Sequence, residues 1–281
     1  MRYTMKCSLL LAIVFMPLSA FARNDKNCND LPSHGALKVA LDQAVGAESS
    51  GLNFHMWATV VNRDGVVCAV AFSGNDRGAQ WPGSRVISAQ KASTANSFSL
   101  DRSAASAGSG PAAGLALSTA NLYSAVQPGG SLFGLQESNP VATAEAYKGP
   151  SENFGQANDP LVGEKVGGVN VFGGGLGLYG LGATLVGGVG VSGDTSCADH
   201  NIAWRVRNIL ELDRLAQAGA IPAVPGPASL FAGDTTHPDN IIFDITPNPA
   251  GGTGNSVSGF GHPTCLNTSG SATLPAVRTA Q

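Results

Sequence analysis

Six polar side chains in two short stretches carry the chemistry this sequence offers. Lys91 and Thr94 stand one helical turn apart, a spacing that aims an ammonium and a hydroxyl at a single carboxylate. Ser192 and Thr195 flank Gly193-Asp194, where strand-like apolar runs give way to helical spacing, and Asp199 and His200 follow in the next turn. A turn of this kind gathers backbone N–H groups and short polar side chains at a helix start, a ready place for an anion. Each residue also has a plain structural use. Lys91 can pair with a nearby acid, Thr94 can pack on a sheet, and Ser192 and Thr195 can cap a helix. A serine nucleophile is not supported, because Gly190-Val191-Ser192-Gly193 has its second glycine one place too early for a nucleophile elbow.

The elements that must position these groups follow from periodicity. Leu37, Ala40, Leu41, Ala44 and Val45 predict a helix over 35–48 with Ser33 as its cap. Met56–Val61 and Val66–Phe72 flank Asn62-Arg63-Asp64-Gly65, a hairpin signal that makes Asp64 a turn residue rather than an acid catalyst. Val86, Ile87, Ala89, Ala92, Ala95 and Phe98 predict a helix over 84–100 that carries Lys91 and Thr94, and a short helix is expected over 117–126. Val169–Phe172, Leu176–Tyr179 and Thr184–Val191 read as three strands, and a final helix starts near Ser196. Asp199 would sit as a capping-box-like partner there, Ile202, Val206, Ile209 and Leu210 would be buried, and Arg207 with Glu211 would form an outward pair. The order gives one α/β (α+β) domain with a mainly antiparallel sheet covered by helices.

Composition bounds the rest. Of 281 residues, 43% are hydrophobic, enough for a sizeable core. Arg2 and Lys6, the apolar run 9–16 and Ala20-Phe21-Ala22 form a signal peptide over 1–22, so a periplasmic or secreted protein is expected. No later run approaches the roughly 20 apolar residues of a membrane span, so stable membrane insertion is not expected. Removing Arg2 and Lys6 leaves 14 basic residues against 19 acidic, a net charge of −5, which argues against a nucleic-acid partner. Cys28, Cys68, Cys197 and Cys265 remain, an even set with three possible disulfide pairings, and no close Cys pair marks a zinc site. The domain is expected over 23–218, with an irregular insertion at 101–165 serving as a lid or a partner-facing flap. A Pro/Gly/Ser-rich extension over 219–281 would lie over the domain or hang loose, only Ile241–Ile245 resembling a strand.

Three motifs in order resemble the GlcG/HbpS-like haem-binding family: Val60-Val61-Asn62-Arg63-Asp64-Gly65, Lys91-Ala92-Ser93-Thr94-Ala95, and Gly187-Gly188-Val189-Gly190-Val191-Ser192-Gly193 with Asp199 after it. The resemblance spans about residues 35–215. It implies a five-stranded sheet with flanking helices, related to the C-terminal domain of PduO-type cobalamin adenosyltransferases, and a homo-oligomer. It also implies haem as a cofactor, with roles in sensing, storage or degradation, whereas other members accompany glycolate or diol catabolism. Under it, Lys91, Thr94, Ser192, Thr195, Asp199 and His200 are the ligand-binding set, and His200 and His55 are the candidates for a haem axial ligand. His34, His237 and His262 fall in poorly structured regions, and neither a His-x3-His nor a Cys-x2-Cys-His spacing occurs. Two classes stay open: a binding protein for haem or another carboxylated ligand, and an enzyme on small carboxylated metabolites with Lys91 or His200 as acid–base group.

Overall fold

The computed structural model describes residues 28–100, 115–215, 236–252, 254–267 and 273–281. The expected signal peptide, the 101–114 part of the insertion and the 219–235 part of the extension lie outside these residues. Helix α1, His34–Gly46, begins where expected, with the Ser33 hydroxyl accepting from Ala36 N at 3.3 Å. Strands β1 (Trp57–Asn62) and β2 (Val67–Phe72) form the hairpin. Gly65 takes the positive φ of 77° that its turn needs, and Asn62 Oδ1 accepts from Asp64 N and Val66 N. Helix α2 is Ser84–Phe98. The expected helix over 117–126 is instead two short 3-10 turns, Thr119–Leu122 and Ser124–Val126, and α3 is a single turn, Thr143–Ala146. Strands β3 (Gly175–Tyr179) and β4 (Leu185–Ser192) lead into α4, Ser196–Ile209. A two-residue pair, β5 (Ile245–Thr246) and β6 (Asn255–Ser256), ends the order.

The main sheet has four strands in the order β2-β1-β4-β3, every pair antiparallel. The fifth expected strand, Val169–Phe172, joins no ladder. Positive-φ glycines, Gly167 and Gly168 before it and Gly174 after it, turn the chain out of the sheet. The segment runs beside α2 instead, where Asn170 N donates to the Thr94 hydroxyl at 2.9 Å.

Alternation along the strands sends Ala58, Val60, Val189 and Val191 toward α1 and α4, and Trp57, Val61, Val70 and Phe72 toward α2. The result is three layers, with α2 on one face and α1 and α4 on the other. The glycines of β4 set the distance between α2 and the sheet: a Cβ on Gly190 would lie 2.0 Å from Ser88 O, and one on Gly188 2.3 Å from Ala92 O. Helix and sheet therefore meet backbone to backbone. Each buried Val or Leu side chain contributes about 1.5–3 kcal/mol to holding the layers together.

The described part of the C-terminal extension is built into the domain. Leu274 and Val277 join the core cluster of α1 and α4, and Trp204 Nε1 donates to Pro275 O at 2.8 Å. Arg207 is not on an outward pair with Glu211. It is fully buried, held by Asp239 through Nη1–Oδ2 at 2.5 Å and Nη2–Oδ1 at 2.7 Å, and donates to Gly177 O. A buried guanidinium requires a fork of this kind to offset its desolvation, and Asp239 of the extension supplies it. Disulfides Cys28–Cys68 and Cys197–Cys265 close loops of 40 and 68 residues, constraints worth about 4 kcal/mol each in chain entropy. No helix among the described residues is long and apolar enough to cross a membrane.

Candidate functional site

The two stretches singled out in the sequence do meet, but from opposite faces of the sheet. Lys91 leaves α2, passes the end of β4 and donates to Val191 O at 3.0 Å and to Asp199 Oδ2 at 2.6 Å. Both side chains are 0% exposed. Asp199 Oδ1 accepts from Asp194 N at 2.8 Å, and the Phe172 ring covers the ammonium at 4.5 Å. Burial pushes the Asp199 carboxyl up to about 7 and pulls the Lys91 ammonium below its ordinary value, each shift opposed by the partner's charge. This pair is a bolt across the sheet end, with no solvent-facing surface. It leaves no space between the two side chains for a ligand.

The neighbouring residues are drawn into the same interior. Thr94 donates to Gln90 O, and Ser192 ends β4 opposite Trp57, 3% exposed. Thr195 holds the N-cap position of α4, but its hydroxyl has no hydrogen-bond partner among the described residues. Asp194 does the organising there, accepting from Leu52 N, Phe54 N and Thr195 N, a role that its place in the turn did not reveal.

The two histidine candidates differ in access. His200 is 0% exposed, and neither ring nitrogen has a well-formed hydrogen bond among the described residues, although Asn240 stands close enough to favour the charged form. Burial, the largest cause, lowers it to about 3, so it is neutral. His55 is exposed, with Nδ1 3.0 Å from the Ser73 hydroxyl, and Nε2 has no described partner. His262, read as lying in a poorly structured region, is instead 6% exposed and clamped: Nδ1 donates to Pro263 O at 2.7 Å and Nε2 accepts from Ser196 Oγ at 2.8 Å.

An open cleft of about 410 Å3 lies at the start of α2. Trp57, Pro82, Val86, Tyr147 and Phe154 give it a mainly apolar lining, with Arg77 and Arg85 as its charges. Arg85 is committed. It forks onto Asp159, with Nε 2.9 Å from Oδ2, and stacks 3.6 Å from the centroid of Phe154. Arg77 is exposed and has no ion-pair partner among the described residues. Tyr147, Ser151 and Phe154 come from the insertion, which thus forms one wall of the cleft. Periodicity could not find this site, since its outer wall holds only single turns, too short to leave a periodic pattern, and its inner wall reads as core.

The model of a family described as "Haem degrading protein HbpS-like" matches residues 36–207. Among solved structures, the chain is similar to Klebsiella pneumoniae protein ORFY, with 23% identity, 64% of this chain and 90% of that chain covered, and a TM-score of 0.39. It is similar to a structure titled "PduOC:Heme Complex" at 20% identity, with 64% and 94% covered and a TM-score of 0.40. For HbpS the values are 18% identity, 64% and 89% covered, and a TM-score of 0.38. No curated protein matches.

Proposed function

The chain belongs to the HbpS-like family, described as haem-degrading proteins, and from that premise we propose that it is an exported protein that binds haem or a related tetrapyrrole in the cleft at the start of α2. The observation that carries this reading is the cleft itself, whose volume and apolar aromatic walls suit a flat hydrophobic ring. Arg77, exposed and uncommitted, supplies a cation for a ring carboxylate. His55, two residues ahead of Trp57 in the lead-in to β1, is exposed. Of the two histidine candidates it would be the one able to hold the iron, whereas His200 would have to leave the interior to serve. Bound haem would supply an iron centre for redox chemistry.

In this reading Lys91, Thr94, Ser192, Thr195 and Asp199 act on the ligand only by holding the scaffold. The leader pattern and two disulfides support export. The edge-to-face pair Phe54 and Trp81, 40% and 50% exposed, supports assembly into a homo-oligomer.

Titration of the purified chain with hemin tests the reading. A Soret shift saturating at one hemin per chain is expected. Combining Arg77→Glu with Tyr147→Ala, both exposed positions, should weaken binding by about tenfold, roughly 1.4 kcal/mol. His55→Ala should move the band. Absence of any spectral response refutes the proposal.

A further inference from the structure

The region where the extension crosses the start of α4 holds three metal-ligating groups in one place. Cys197 Sγ, Cys265 Sγ and a His262 ring nitrogen all lie within 4.8 Å of one another. In the structure the two cysteines are joined as a disulfide. With the proton on Nδ1 held by Pro263 O, His262 Nε2 is a neutral, lone-pair-bearing acceptor of the kind a metal takes, and it receives the Ser196 hydroxyl.

We propose that Cys197, Cys265 and His262 form a redox-gated site for a thiophilic cation such as Zn2+, masked while the disulfide is closed and exposed when it is reduced. The proposal is independent of haem binding. Reduction transfers two electrons and two protons from a dithiol to the Cys197–Cys265 bond, giving two thiols while the dithiol becomes its own disulfide. Binding then releases the two thiol protons and places two thiolates and one imidazole on the ion. The reductant approaches at Cys265, which is half-buried between exposed Thr264 and Leu266, whereas Cys197 is wholly enclosed.

The test uses the full chain with Co2+ as the probe, before and after dithiol treatment. One Co2+ per chain with a thiolate charge-transfer band is expected only after reduction, and bound Co2+ should protect Cys197 and Cys265 from alkylation while Cys28 and Cys68 react. His262→Ala should lower the Co2+ affinity at least tenfold. Equal binding by the oxidised chain, protection confined to Cys28 and Cys68, or indifference to His262→Ala overturns the proposal. Should reduction abolish the near-UV circular dichroism, Cys265→Asp replaces it, since Cys28–Cys68 then stays closed and position 265 keeps an anionic ligand. A folded Cys265→Asp chain that takes up no Co2+ equally overturns the proposal.

Discussion

Replacing Lys91 by methionine leaves a carboxyl at Asp199 that is 0% exposed and has lost its cation. Truncating one partner of a buried pair costs about 3–5 kcal/mol, but here the loss depends on pH. Burial already raises Asp199 to about 7 with Lys91 in place, so without it the folded-state value rises further above the unfolded 3.8. A carboxyl raised in the folded state binds its proton more tightly there than in the unfolded chain. Its stabilising contribution is therefore complete below pH 3.8 and is lost as pH climbs through the folded value. The wild type, with Asp199 at about 7, follows the same slope up to that pH, so over pH 5 to 8 Lys91→Met should lose stability relative to the wild type only above about pH 7, by up to about 1.4 kcal/mol per pH unit. Urea unfolding at pH 5, 6, 7 and 8 measures this, and Lys91→Met combined with Asp199→Leu should be flat across the range. A penalty below about 1 kcal/mol with no pH dependence would show that Lys91 faces solvent and is free to meet a ligand, refuting the closed bolt.

Two further outcomes follow from the packing. Gly190→Ala forces a Cβ against Ser88 O and should cost about 3 kcal/mol, whereas Gly35→Ala, with open space around it in α1, should be neutral or stabilising by up to about 1 kcal/mol; thermal melts separate the two. His200 is neutral in the folded chain and lowered to about 3, so the unfolded state alone takes up a proton as pH falls below 6.5. Between pH 6 and 4 the wild type should lose about 2–3 kcal/mol more than His200→Leu does, read from urea midpoints; parallel curves would place His200 in contact with solvent.

Local order was legible in the residues, and long-range pairing was not. The Asp-Gly turn, the Ser33 cap and the start of α4 depend on neighbours within four positions, and each sits where periodicity put it. Val169–Phe172 has strand composition, but pairing requires a free sheet edge, and the glycines around it turn the chain aside. Lys91 and Asp199 were found as residues but not as partners, because nothing local records a contact across 108 positions. Arg207 was misplaced for the same reason: its helical neighbour Glu211 was visible, and Asp239, beyond a Pro/Gly-rich stretch, was not. The cleft escaped because Trp57 and Val86 look like ordinary core until the insertion wall is set against them.

The span that matches the family, 36–207, stops inside this molecule rather than at its border. A chain shortened to that span would keep every strand of the main sheet yet strand the Arg207 guanidinium without its acid, bare the surface that Leu274 and Val277 cover, and leave Cys197 with a free thiol. Such a fragment would be expected to aggregate, so the sequence after residue 235 acts as a keystone set last into an arch that the family outline leaves open.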